Sequence, residues 1–301
     1  MKKLYSIGCL ILFTLNTQAQ DYVDIVKLTG FNSTMENGTN SETSPGNINF
    51  ELYYPSQIND KLVLLTGITA ENTNLNLSPL SKASNLTMTR LNLGMKYKHS
   101  EKWSGTYVLL PKIASDFNNL GSNDYQIGAI AILDYQTKEN FKYKFGLYSS
   151  TEVFGTTLTP LIGLWHRSEN KKLYINATLP IRMDVNYALG NKFSIGSDLL
   201  TSIKSYNLSA INSMQYVQEE SIRFGFYASY GMMDNAILLR AKIGYDTTDY
   251  GVYNANDKVG LQILTKQVSG DNRTRLNTEF VAAPYIGGDT IYRFDLNKKT
   301  K

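Results

Sequence analysis

The chain has 301 residues, 42% apolar and 19% charged, with a formal net charge of +4, two histidines and one cysteine. Scattered Lys and Arg with no basic block exclude a nucleic-acid surface, and a lone cysteine excludes a disulfide framework. Beyond the N-terminus no run of about 18 apolar residues occurs, which excludes a helical membrane span but not a barrel, whose strands need only every second residue apolar.

In chain order, the first element is a secretory signal peptide over residues 1–19. Lys2 and Lys3 give the charged segment, Leu4 to Leu15 the apolar one, and Thr17-Gln18-Ala19 the small residues before the cleavage point. Cys9 falls within it, so the mature chain has no thiol. Residues 20–301 read as one domain, with no proline-rich linker and no sustained helical periodicity.

From residue 46 onward, apolar and polar residues alternate in runs bounded by polar turns, the period-two signature of strands. The pattern predicts strands at 46–54, 61–70, 86–98, 103–113, 125–136, 141–149, 157–167, 172–188, 192–204, 221–231, 236–246 and 257–266, with further candidates at 22–30 and 276–294. The clearest run places Leu173, Ile175, Ala177, Leu179, Ile181, Met183, Val185 and Tyr187 on one face. It is long enough to cross a bilayer, which takes about 9–11 tilted residues. As a single strand, it would put the turns at Asn170 and Gly190 at opposite ends.

One turn type recurs. An aromatic residue closes a strand, polar residues follow, and an apolar residue opens the next strand, as in Tyr54–Leu62, Tyr97–Trp103, Tyr135–Phe141 and Tyr187–Phe193, with variants after Trp165 and Tyr230. These predict tight antiparallel connections along one edge. Longer polar stretches, Phe31–Gly46, Glu71–Asn85 and Ser115–Asp124, predict loops along the other.

An open sheet would leave unpaired edges in hydrocarbon, so the expected fold is all-β, a closed antiparallel transmembrane β-barrel with up-and-down meander topology and about 12 strands (range roughly 10–14). Apolar faces such as Leu91, Leu93, Met95 and Phe141, Tyr143, Phe145 are expected to meet lipid. The opposite face carries the basic residues Arg90, Lys96, Lys142, Lys144, Arg182, Arg223, Arg240 and Lys242 against the acidic Glu51, Asp134 and Asp184. If that face lines a lumen, the interior is electropositive.

The sequence Asp21-Tyr22-Val23-Asp24-Ile25 follows the signal peptide. Lys98-His99-Ser100-Glu101-Lys102-Trp103 leads to Tyr107-Val108-Leu109-Leu110-Pro111, and Leu179-Pro180-Ile181 leads to Tyr187. On these residues the chain resembles a family of Gram-negative outer-membrane β-barrel proteins known only as a domain of unknown function. The resemblance covers most of the mature chain. It implies a barrel in the cell outer membrane and brings no catalytic or binding residues. One departure is the C-terminus, where Tyr292-Arg293-Phe294 is followed by a charged tail, Asp295 to Lys301, in place of a terminal aromatic residue.

The residues offer little chemistry. His99-Ser100 and His166-Arg167-Ser168 invite comparison with Ser/His deacylases, but both lie in copies of the recurrent turn, and no third group orients either histidine. No metal-ligand spacing or phosphate loop is present in the sequence, so no catalytic, cofactor or metal residue is expected. The expected role is a passive channel or small-solute carrier with an electropositive lumen rather than an enzyme. The alternative is a closed structural or interaction barrel that binds a ligand or partner through extracellular loops. The expected partners are outer-membrane lipid, the barrel-assembly machinery and small anionic solutes.

Overall fold

The structure, a computed structural model, describes residues 22–36, 42–77, 84–209 and 215–295. The expected signal peptide at 1–19 lies outside the described residues. In chain order the strands are β1 (Tyr22–Ser33), a small hairpin of β2 (Met35–Glu36) and β3 (Glu42–Thr43), β4 (Gly46–Gln57), β5 (Leu62–Leu75), β6 (Ser84–Lys98), β7 (Trp103–Ser115), β8 (Tyr125–Lys138), β9 (Phe141–Glu152) and β10 (Gly155–Arg167). There follow β11 (Leu173–Leu179), β12 (Arg182–Ala188), β13 (Phe193–Leu208), β14 (Gln215–Met232), β15 (Ile237–Asp246), β16 (Asp249–Asn254), β17 (Leu261–Ile263), β18 (Lys266–Ser269) and β19 (Ala283–Asp295).

Fourteen of these form the wall, paired antiparallel in the order β1, β4, β5, β6, β7, β8, β9, β10, β11, β12, β13, β14, β15, β19. β19 then pairs with β1, from Tyr22 opposite Asp295 to Ser33 opposite Tyr285, and closes the ring. The count stands at the top of the expected range, two above 12, through two gains and one loss. The candidate strands at 22–30 and 276–294 both form. The run at 172–188 is two strands, reversing at Leu179-Pro180-Ile181-Arg182, with Ile175 opposite Val185. The run at 257–266 is not in the wall; β17 and β18 belong to an excursion between β15 and β19.

The correction at 172–188 has a simple cause. The last pair of the ladder, Thr178 opposite Arg182, has three residues between its members, and an odd number keeps odd positions on one face, so alternation runs on through the reversal as if the strand were continuous. The split also places the Asn170 and Gly190 turns at the same end. The recurrent turns, at 58–61, 99–102, 139–140, 168–172, 189–192 and 233–236, lie at this turn end, together with Tyr22 and Asp295. Short polar side chains close these turns, as expected of Asn and Ser. Asn59 Oδ1 accepts from the N–H groups of Lys61 and Leu62, Asn170 Oδ1 from that of Lys172, and Ser100 Oγ from that of Trp103.

The outer face is an unpartnered apolar belt, with Ile48 62%, Phe226 58%, Ile243 63% and Ile286 67% exposed. Aromatic side chains edge it at the turn end, where Trp103 packs on Tyr135 at 4.7 Å and Phe193 on Tyr230 at 4.8 Å. At the other edge stand Tyr125 and Tyr245, both exposed. On β8, Tyr125 and Tyr135 are ten residues apart. That is about 33 Å along a strand, or about 25 Å once tilted by roughly 40°, the height of the apolar band of a membrane barrel.

Inside, the two longest strands do not stay in the wall. The loop-end halves of β13 and β14 lean across the mouth until Asn207 pairs with Ser115 on β7. Five wall strands separate β13 from β7 one way round and seven the other, so the hairpin crosses almost the full width. There β14 pairs with β16, Gln215 opposite Asn254 through Glu220 opposite Asp249. The crossing seats Tyr206 and Val217 in a small apolar core with Met35, Leu86, Met88, Val252 and Phe280. Beside it, Gly155 adopts φ +145°, and a Cβ there would lie 1.9 Å from the Val259 carbonyl oxygen. Only glycine meets both conditions.

Candidate functional site

Among the described residues, polar groups from many strands converge in the barrel interior, which has two zones. The first is the plug at the loop end. Lys204, on β13, donates to Glu71 of β5 at 2.7 Å and lies 3.3 Å from Glu219 of β14. Glu152 of β9 accepts from Lys112 of β7 at 2.6 Å and from the N–H and Oγ of Ser205, both at 2.8 Å. Gln126 of β8 donates to the Ser205 carbonyl, Asn207 donates to Asp124, and the Asp116 N–H donates to the Asn207 carbonyl. These bonds stitch one hairpin to β5, β8, β9 and the connection between β7 and β8, on the far side of the ring. Above it, Arg275 grips Asp249 with both guanidinium arms, and Arg273 hydrogen bonds hold the Asp271 carboxyl below the usual carboxylate range.

The second zone is the shaft and vestibule below, where the eight basic residues singled out from the sequence lie. Lys144 reaches Asn176 of β11, Lys96 is 3.7 Å from Asp134, and Lys142 sits 5.5 Å over the Trp165 ring. Arg240 donates to Asp184 of β12 at 3.2 Å with its plane 4.2 Å over Tyr227. Lys242 bridges Asp198 and Asp289, and Arg223 lies 4.1 Å over Phe31. Arg90 and Arg182 are on β6 and β12, with the Arg90 Nε buried and unbonded. Several of these contacts span two or more strands, so they are made through the interior.

The sequence count of basic against acidic residues was incomplete. Glu71, Glu152 and Glu219 lie just past the expected ends of their strands, Asp198 is on β13, and Asp24 and Asp289 are on the two strands left as candidates. Each pairs with an interior cation, Asp24 with Arg293 and Asp289 with Lys242 among them. Part of the interior positive charge is therefore offset by carboxylates. A cavity of about 790 Å³ lies at the turn end, between β1, β10 to β15 and β19. Arg167, Lys171, Lys172, Lys192, Arg240 and Arg293 line it with one carboxylate, Asp234. Tyr22 and Tyr174, 6.0 Å between ring centroids, form part of its wall.

The histidines serve the turns. His99 Nε2 lies 3.0 Å from the Tyr107 hydroxyl, and His166 Nδ1 lies 3.1 Å from the Asn140 carbonyl. The serines beside them close the turns, with the Ser168 hydroxyl donating to Asn170. No bond joins either histidine to a serine hydroxyl among the described residues.

Residues 19–256 match the model of a family described as a domain of unknown function (DUF6268). The chain belongs to this family. The match takes in the wall from β1 to β15 and the start of the excursion. No curated protein matches the sequence of this DUF6268 barrel. Among solved structures it is similar to the COG4313 outer membrane channel from Pseudomonas putida F1, with 9% identity, 91% of this chain and 95% of that one covered, and a TM-score of 0.46. It is also similar to the Pseudomonas putida toluene transporter TodX (13% identity, 89% and 87% covered, TM-score 0.37) and to the porin NanC (9%, 88% and 98%, TM-score 0.37). At such identity and TM-score, the likeness says nothing of what the DUF6268 barrel passes or binds.

Proposed function

We propose that this DUF6268 barrel spans the outer membrane, with its turn end in the periplasm, and works as a gated channel or carrier for small solutes, in a conformation closed at the loop end. The apolar belt, its aromatic edges and the expected signal peptide support the placement, with lipid against the outer face and the barrel-assembly machinery inserting the chain. Small anionic solutes remain the candidate cargo.

The observation that carries the transport reading is the plug. It is an extension of two wall strands, held across the mouth by hydrogen bonds and ion pairs to side chains of other strands. Removing one partner of such a buried pair leaves an uncompensated charge, at a cost of roughly 3–5 kcal/mol. A plug held this way is a two-position element. A second reading, a permanently closed barrel that meets partners through its loops, is favoured by the apolar core around Tyr206 and Val217.

Planar-bilayer conductance separates the two. Wild-type protein is expected to show rare, brief steps. Lys204→Met, which leaves Glu71 and Glu219 facing each other, should raise the open fraction. Replacing residues 203–220 by an Asn-Gly turn between Ser202 and Ser221 should give steady conductance. No conductance in the shortened barrel, with its heat-modifiable gel mobility intact, would leave the closed barrel as the function.

A further inference from the structure

We infer that the turn-end vestibule is a binding site for a flat organic anion carrying two or more acid groups. The inference takes its biological sense from the solute-carrying reading, but it concerns binding and requires no conduction.

The cavity, about 790 Å³, falls within the range of about 300–1,000 Å³ that holds small-molecule ligands. Its cations come from separate elements. Lys172 is on the turn between β10 and β11, Lys192 on the turn between β12 and β13, Arg240 on β15 and Arg293 on β19. The turns that carry the lysines are braced. The Lys172 carbonyl accepts from the Ala188 N–H and the Lys192 carbonyl from the Gly231 N–H, both at 2.8 Å, and the Asn235 side chain donates to the Asn191 carbonyl at 2.9 Å. The ammonium groups of Lys172 and Lys192 make no ion pair among the described residues, so two charges on different turns stand ready for acceptors from outside.

Arg240 supplies a second, independent sign. Its side chain is only 7% exposed, one arm lies 3.2 Å from Asp184 and 4.0 Å from Asp289, and its Nε is buried with no hydrogen-bond partner. A guanidinium offers five donors in a planar fork suited to carboxylate or phosphate. A buried donor left unbonded costs about 1–3 kcal/mol, so it marks a place where an acceptor is missing. Arg293 is similarly held, with Nε on Asp24 at 2.9 Å and its plane 3.7 Å over Tyr22.

The walls decide the rest of the ligand. Tyr22 and Tyr174 present rings beside the cations. A flat body with acid groups at its rim can lie against those rings and reach cations on more than one side. A monoacid reaches only one.

The test is calorimetric titration of folded, detergent-solubilised full-length protein with benzene-1,3,5-tricarboxylate and with benzoate. The tricarboxylate should bind saturably, at least tenfold more tightly than benzoate, and should weaken as salt is added. In the Lys172→Glu/Lys192→Glu double variant, checked for the heat-dependent mobility shift of a folded barrel, its affinity should fall at least tenfold. Absence of saturable binding to the wild type, equal affinity for benzoate, or unchanged affinity in the folded double variant would overturn the inference. None of these outcomes bears on conductance, so the site and the transport reading stand or fall separately.

Discussion

Phe226 and Lys144 occupy opposite faces of the wall, and the difference between them is the physical statement of the fold. Phe226 is 58% exposed on the outer belt, whereas the Lys144 ammonium donates to Asn176 across the interior. A charge near the midplane of the lipid face costs about 2–4 kcal/mol. Phe226→Arg is therefore expected to lower the midpoint of urea unfolding in lipid vesicles and the yield of folded barrel. Lys144→Glu, facing polar neighbours, should leave both close to wild type. Equal damage from the two would mean the faces are reversed. The alternation that separates these residues was plain in the sequence. Their partners were not, since Lys144 and Asn176 lie two strands apart and meet only when the barrel closes.

At the scale of elements, the weakest part of the wall is the pair β11 and β12. Each has seven residues, against sixteen in β13 and eighteen in β14. Short ladders open with less free energy than long ones, because fewer bonds and contacts break together. Hydrogen exchange in detergent should therefore find Leu173–Ala188 amides exchanging faster than those of Phe193–Leu200 beside them. Uniform protection along the wall would contradict this. The sequence concealed this hairpin because the odd number of residues between its last paired positions, Thr178 and Arg182, keeps the alternation in phase, although Pro180, which cannot donate to a ladder, marked the break. It concealed the plug for a different reason. The apolar series of β14 stops at Ile222, and Gln218-Glu219-Glu220-Ser221 reads as the start of a polar loop, so nothing local marks a strand that runs on across the mouth. The acidic half of the interior was missed where strands outrun their expected ends, at Glu71, Glu152 and Glu219.

For the whole molecule, the arrangement is polar along its axis, with a braced, ion-paired mouth at one end and a basic vestibule at the other. One expectation follows from closure alone. The chain should fractionate with outer membranes and migrate differently on gels with and without boiling, because a closed barrel resists detergent until it unfolds as a unit. Soluble protein with a single mobility would sink the barrel in its membrane.

The seam that closes the ring joins the first wall strand to the last. Arg293 meets Asp24 across 269 residues of chain. No other order of events can close the ring, since β1 has its second neighbour only when β19 has been made and delivered. Until then two strand edges stay bare, the condition under which chains pair with the wrong partner. Contacts this distant in sequence also form slowly, because a long loop must be ordered before they can repay it. The time during which the seam stays open is therefore the most hazardous stage in the folding of this protein, and its length is fixed by where the seam lies.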